Sequence, residues 1–208
     1  DLGKTYVLCR ILEQLHARGF QVSALKPVLS GYTDAAAADS DAGQILRALG
    51  REASADAVAA IAPWRFVAPL SPDMAAAREG RRVSLDEVVS FCRRNLDRSS
   101  GLHFVEGAGG ILSPLGPDFT NLDLALALPA SCLLIAGGYL GTISHTLTAV
   151  AAMSARGCKP TCIILSGAQA GPVPLAETSD RIQEVHIKVL HIVIEAVERE
   201  MFPANYAG

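Results

Sequence analysis

Leu2-Gly3-Lys4-Thr5, running directly into Tyr6-Val7-Leu8-Cys9-Arg10-Ile11-Leu12-Glu13-Gln14-Leu15, is the stretch around which the chain reads. Leu8, Ile11, Leu12 and Leu15 recur at helical spacing and Gly19 is a natural stop, which predicts a helix from Thr5 to Arg18. A glycine, a lysine and a hydroxyl residue therefore stand at a helix N-terminus. The glycine lets phosphate approach the backbone, the free N–H groups and the helix dipole favour negative charge, and the lysine adds a cation. The Thr5 hydroxyl is then placed to ligate a phosphate-bound Mg²⁺. Gly3-Lys4-Thr5 is the end of the signature G-x-x-x-x-G-K-[ST], whose first half would precede Asp1. Alone, the triplet is a weak signal.

Downstream, the pattern alternates between strand and helix. Gln21–Leu25 reads as a strand that runs into a loop, Lys26-Pro27-Val28-Leu29-Ser30-Gly31, where proline bars helix and Ser-Gly marks a turn. Thr33–Ala38 is alanine-rich and expected to be mobile. Asp39-Ser40-Asp41 opens a helix carrying Ile45, Leu46 and Leu49, and Ala53–Ala60 suggests another. Pro63–Pro72 reads as a proline-punctuated loop folding back across the body. Asp73–Glu79 makes a short helix, and Ser84 with Glu87 has the capping-box pattern of a longer one. Leu102–Val105 is a strand ending in Glu106-Gly107-Ala108-Gly109-Gly110. Ser131–Ala136 is a second, ending in Gly137-Gly138-Tyr139-Leu140-Gly141. Thr142–Arg156 reads as a helix capped by Thr142 or Ser144, with Leu147, Val150 and Ala151 facing inward. Lys159–Leu165 is expected to be a buried strand. Ile187–Ile194 fits either a last strand or one helix with Glu195–Glu200. Strands alternating with helices imply a parallel sheet with helices on both faces, in one α/β domain over residues 1–208.

Composition narrows the function classes. Half of the 208 residues are hydrophobic and 19% are charged, which argues against disorder. A net charge of -3 supplies no electrostatic reason for nucleic acid or an anionic membrane as partner. No apolar run reaches the roughly 18 residues that cross a bilayer, and no signal peptide is visible. The five cysteines are an odd number scattered through hydrophobic segments, which suits reduced, buried thiols in a cytoplasmic protein. Cys158 and Cys162 have C-x-x-x-C spacing, but no second Cys/His pair lies nearby to complete a zinc site.

Three further residues carry chemistry. Glu106 is an acid at the end of a buried strand followed by four small residues, suited to a metal–phosphate group lying against bare backbone; an ordinary glycine turn is the competing reading. Lys26 follows a short strand, where a lysine more often reaches for water, yet beside a phosphate site it is a useful second cation. Asp41 stands in a first helical turn, where acids are common for dipole reasons alone. Together, Lys4 and Lys26 supply cations for phosphate oxygens. Thr5, Asp41 and Glu106 supply the hard oxygens that Mg²⁺ prefers. The five histidines have capping or packing as their simplest reading, and no Ser/His/Asp arrangement or G-x-S-x-G turn is legible.

LGKT at the start, KPVLSG at 26–31, SDA at 40–42, SP at 71–72, VEGAGG at 105–110 and LGTISH at 140–145 occur in an order and spacing that resemble the dethiobiotin synthetase family of the P-loop superfamily. The resemblance covers roughly residues 1 to 165, and KPVLSG together with VEGAGG is far more restrictive than GKT. It implies a P-loop NTPase-like fold and the ATP- and Mg²⁺-dependent closure of a ureido ring on 7,8-diaminononanoate with CO₂. In that chemistry a carbamate on one amine attacks the γ-phosphate, and the second amine closes the ring and expels phosphate. Each step builds negative charge. By resemblance, Gly3, Lys4, Thr5, Glu106, Gly107, Ala108, Gly109 and Ser166 line the nucleotide site. Lys4 and Lys26 are catalytic, and Thr5, Asp41 and Glu106 hold the metal. Lys26 and Ser30 meet the substrate. The family is a homodimer, and the substrate carboxylate is expected at a helix N-terminus of the neighbouring subunit, here Gly141, Thr142, Ile143 and Ser144.

The departures are local. The first strand and the G-T-D-T-like half of the phosphate loop are expected to be missing, which makes 1–208 an N-terminally truncated domain. Residues 166–208 read as a divergent C-terminal part: Ser166-Gly167 stand where the family commonly has Asn-Asp for adenine, and His191–Ile194 replace a Gly-Glu-Ile-Pro loop. Ser144 stands for the family's Asn and Asp73 for its His. Two other readings compete: a ParA/MinD-like P-loop ATPase switch, and an inactive, truncated homologue.

Overall fold

The computed structural model describes residues 2–96 and 100–167. The choice between strand and helix over 187–200, and the divergent segment beyond Gly167, lie outside them.

The first helix, α1, spans Lys4–Ala17 and organises the rest. Its buried residues are Val7, Leu8, Cys9, Ile11, Leu12 and Leu15, an apolar stripe too wide for a single neighbour. Leu8 and Leu12 point into the larger core, with Ile45 and Leu46 of α2 (Asp41–Ala48). Val7, Ile11 and Leu15 form a second cluster with Leu102 and Ile164. One helix thus holds two strand pairs together. The first pair is β1 (Val22–Leu25) with β4 (Leu102–Val105), and the second is β7 (Cys132–Gly137) with β8 (Pro160–Ser166). Both pairs are parallel, as is β2 (Val28–Ser30) with β3 (Trp64–Phe66). Parallel strands alternating with helices make this an α/β fold of the P-loop NTPase kind.

Several local expectations need correcting. The KPVLSG stretch is not all loop, because Val28–Ser30 pairs with Trp64–Phe66, inside the segment expected to be a proline-rich loop. Each of these strands is only three residues long and abuts a proline, so no alternation was visible. Within the alanine-rich stretch, Asp34–Asp39 forms a 3₁₀ helix that the sequence did not predict, ended where Ser40 caps α2 by accepting from the Gly43 N–H. Helices α3 (Ala55–Ile61), α4 (Pro72–Arg78) and α5 (Leu85–Leu96) lie close to their expected positions. Residues 111–130, unread in the sequence, hold an antiparallel hairpin, β5 (Pro114–Gly116) with β6 (Phe119–Thr120), and then α6 (Asn121–Ala127).

Helix α7 (Thr142–Ala155) departs most from expectation. Its N-cap is Gly141, at φ 97°, and not Thr142 or Ser144. Leu147 is 63% exposed and Ala151 is also exposed, whereas Met153 is the buried residue. The neighbouring β8 is likewise only partly covered, with Ile163 and Leu165 exposed where a buried strand was expected.

Candidate active site

The site begins with strand register. Leu25 pairs with Val105 at the ends of β1 and β4, and the Glu106 N–H donates to the Leu25 carbonyl at 2.8 Å. The next residues, Lys26 and Glu106, therefore leave the same sheet edge side by side. Their side chains meet: Lys26 Nζ donates to Glu106 Oε1 at 2.6 Å, and the side chains are 3% and 6% exposed. Lys26 Nζ also lies 3.0 Å from Asp41 Oδ2, presented by the first turn of α2, and 3.3 Å from the Gly107 carbonyl. From the start of α1, Thr5 Oγ1 donates to Glu106 Oε1 at 2.8 Å. Four residues distant in sequence thus share one hydrogen-bonded cluster at the C-terminal edge of the strands, where ligands of open α/β sheets bind.

Lys4 belongs to the same electrostatic field. Burial and the nearby Lys26 ammonium lower its pKa, and Glu106 and Asp41 only partly offset this. An anion placed between Lys4 and Lys26 would relieve that repulsion. Gly3 adopts φ 77° at the N-cap of α1, and a Cβ there would lie 2.7 Å from Ser166 Oγ. Glycine is thus required twice over, by the left-handed backbone and by the hydroxyl packed on it. Ser166 ends β8, in register with Gly137 at the end of β7, so both parallel pairs present their C-terminal ends next to the start of α1.

The Glu106–Gly110 loop is held by a residue the sequence reading missed. Asn121, buried at the start of α6, donates from Nδ2 to the carbonyls of Ala108 and Gly110, each at 2.7 Å. A Cβ on Gly107 would fall 2.2 Å from Asn121 Oδ1, so the loop lies flat on this amide only because Gly107 has no side chain. Thr120-Asn121-Leu122-Asp123 contains the signal: a capping box in which Thr120 Oγ1 receives the Asp123 N–H while Asp123 receives the Thr120 N–H.

Two groups of expected site residues stand apart from this cluster. Ser30 ends β2, and no hydrogen bond joins it to Lys26, Asp41 or Glu106. Gly141, Thr142, Ile143 and Ser144 start α7, with Ile143 75% exposed and the buried Thr142 Oγ1 without a hydrogen-bond partner among the described residues.

The donor set fits a hard divalent cation. One oxygen of Glu106, Oε2, is buried without a hydrogen-bond partner among the described residues, and a carboxylate oxygen in that position is short of positive charge. With Asp41 and the Thr5 hydroxyl it forms an all-oxygen set suited to Mg²⁺.

Fold and site together define a P-loop nucleotide-binding protein, and a family model described as an AAA domain matches residues 1–198. The curated relatives are more specific. The chain is 45% identical to the ATP-dependent dethiobiotin synthetase BioD of Acidiphilium cryptum (strain JF-5), over 88% of this chain and 82% of that protein. It is 47% identical to the protein of the same name from Caulobacter vibrioides (strain NA1000 / CB15N), over 80% and 75%. With that of Methylobacterium nodulans (strain LMG 21967 / CNCM I-2342 / ORS 2060) it shares 38% identity over 88% and 83%. The chain belongs to the dethiobiotin synthetase family.

Proposed function

We propose that this chain is a ligase of biotin biosynthesis, closing the ureido ring of dethiobiotin from 7,8-diaminononanoate, CO₂ and ATP. The observation that carries the reading is the convergence of Thr5, Lys26, Asp41 and Glu106 on one partly buried cluster beside Gly3-Lys4, in a chain of this family. Gly3, Lys4 and Thr5 would cradle the nucleotide phosphates at the start of α1, with Glu106, Gly107, Ala108, Gly109 and Ser166 lining the nucleotide site. Thr5, Asp41 and Glu106 would hold Mg²⁺, which when bound supplies charge neutralisation on the transferred phosphoryl group. Lys26 would exchange its carboxylate partners for substrate. Its ammonium would orient the carbamate and stabilise charge developing toward the γ-phosphate, and Lys4 would do so from the other side. Ser30 would join Lys26 at the substrate.

The carboxylate tail of the substrate would reach Gly141, Thr142, Ile143 and Ser144 of a second copy in a homodimer. Support comes from α7 and the turn before it, where Leu140, Ile143 and Leu147 are exposed in succession at 103%, 75% and 63%. Scattered single apolar residues need no explanation, but a run of them at one helix start marks an interaction surface. A cytoplasmic location agrees with five cysteines that form no disulfide. A ParA/MinD-like switch is not favoured, since the curated relatives are dethiobiotin synthetases.

The direct test is to incubate the protein with diaminononanoate, bicarbonate, ATP and Mg²⁺ and assay for dethiobiotin. Dethiobiotin formed together with ADP is expected. ATP binding without product would sink the ligase reading.

A further inference from the structure

Outside the nucleotide site, one pair of reactive groups is brought together by the fold alone. Cys132 opens β7 and Cys158 follows the end of α7, 26 residues later, yet their Sγ atoms lie 3.5 Å apart. The path between them is the whole β7–α7 unit, whose beginning and end meet. Cys158 is set by the closing turn of the helix, its N–H donating to the Met153 carbonyl at 2.9 Å. Cys132 sits where the β7–β8 register shifts, between Cys132 and Leu133, so the ladder is already interrupted at that side chain. Both residues are half-buried, unlike Cys9 and Cys92, which are buried in the core. Cys162, the residue whose spacing suggests pairing with Cys158, is instead in register with Leu133 on β8.

We propose that Cys132 and Cys158 form a reversible dithiol–disulfide site whose oxidant is a low-molecular-weight disulfide. A disulfide needs the sulfurs at about 2.05 Å, so closure from the present contact asks for movement of only about 1.5 Å. Side-chain rotation at an interrupted register can supply that. In the first step one cysteine, as thiolate, attacks a sulfur of the small disulfide, forming a protein–small-molecule bond and releasing one small thiol. The second cysteine then loses its proton and attacks the protein sulfur of that mixed disulfide, expelling the other small thiol. Two protein thiols are oxidised to one disulfide, and one small disulfide is reduced to two thiols. Burial, then the hydrogen bond with Cys158, pushes the Cys132 thiol up to about 11, so it rests protonated and the site is a slowly exchanging one.

The position makes the modification separable from catalysis. Cys132 is at the N-terminal end of β7, whereas Gly137 and the nucleotide edge lie five residues on, about 16 Å away at strand rise. The link would close a loop around β7 and α7 and so fix the base of the helix whose other end carries Gly141–Ser144.

The test is oxidation of the native full chain with oxidised glutathione, followed by thiol counting after denaturation and peptide mapping by mass spectrometry. The expected result is loss of two of the five thiols, a Cys132–Cys158 linked peptide, no retained glutathione, a higher Tm and reversal by dithiothreitol. Cys132→Ser and Cys158→Ser should each instead trap one glutathione on the remaining partner and none on the other cysteines, whereas an unfolded variant would take up glutathione at all of them. Five thiols retained, a link through Cys162, or stable glutathione adducts on the unsubstituted chain would each overturn the proposal. None of these readouts depends on ligase activity.

Discussion

At Lys26 one ammonium serves two carboxylates, the buried Glu106 and the part-exposed Asp41. Removing the ammonium leaves the buried Glu106 carboxylate without its ion-pair partner, and breaking a buried pair in this way costs about 3–5 kcal/mol. Lys26→Ala is therefore expected to abolish dethiobiotin formation and to lower the urea midpoint while the protein remains folded by circular dichroism. Glu106→Ala should abolish turnover as well, since it removes a proposed metal carboxylate together with the acceptor for Thr5 and Lys26. Near-normal activity in either variant would take that residue out of the site. Ser166 poses a different question. Its hydroxyl lies over Gly3, and Ser166-Gly167 offers less hydrogen-bonding capacity for a base than Asn-Asp does. We expect CTP and GTP to support measurable turnover beside ATP in a nucleotide-substitution assay; strict ATP dependence would contradict this.

The start of α6 supports, through Asn121, a loop it does not belong to. Asn121→Ala should leave the fold intact but free the Ala108 and Gly110 carbonyls, loosening the Glu106–Gly110 loop. A fall in kcat with little change in Tm is the expected signature, and unchanged kcat would confine Asn121 to packing. The cap itself has a pH dependence. Hydrogen bonds from Thr120, its side chain and then its backbone, hold the Asp123 carboxyl below its ordinary 3.8, with Arg156 adding to the effect. A folded pKa lowered this way contributes stability that is fully present above the unfolded value and lost as pH falls through the folded one. Thr120→Ala should thus cost about 1 kcal/mol near neutrality, and the gap to the parent should narrow below pH 3.8. Urea melts at both pH values check it.

Among the described residues, α1 is the shared wall between two cores, and α7 exposes Ile143 and Leu147. Leu12 of α1, wholly buried in the larger core, should cost about 2–5 kcal/mol on truncation to alanine, read from the denaturant midpoint. The exposed side of α7 gives the opposite expectation. Ile143→Asp should leave the unfolding of a single chain nearly unchanged but convert a dimer to monomer in light scattering, with loss of activity restored by no increase in ATP. A protein that is already monomeric and active without the substitution would remove the dimer from the reading.

The helices α1, α2 and α5 and the strands β1, β4 and β7 were legible because their periodicity is a local property, and all lie within a few residues of where the pattern puts them. The chemistry was legible as an inventory, Lys4, Thr5, Lys26, Asp41 and Glu106, because residue type alone decides which groups carry charge or ligate hard cations. Three-residue strands such as β2 and β3 were not, since so few positions show no period and their stability comes from each other. Nor was Asn121 legible, because its role is to meet carbonyls more than ten residues away. What only the tertiary structure decided is which of these groups touch. The register of β1 against β4 sets Lys26 beside Glu106, and the folding back of α7 sets Cys158 beside Cys132. Both contacts join residues whose separation along the chain carries no information about their separation in space.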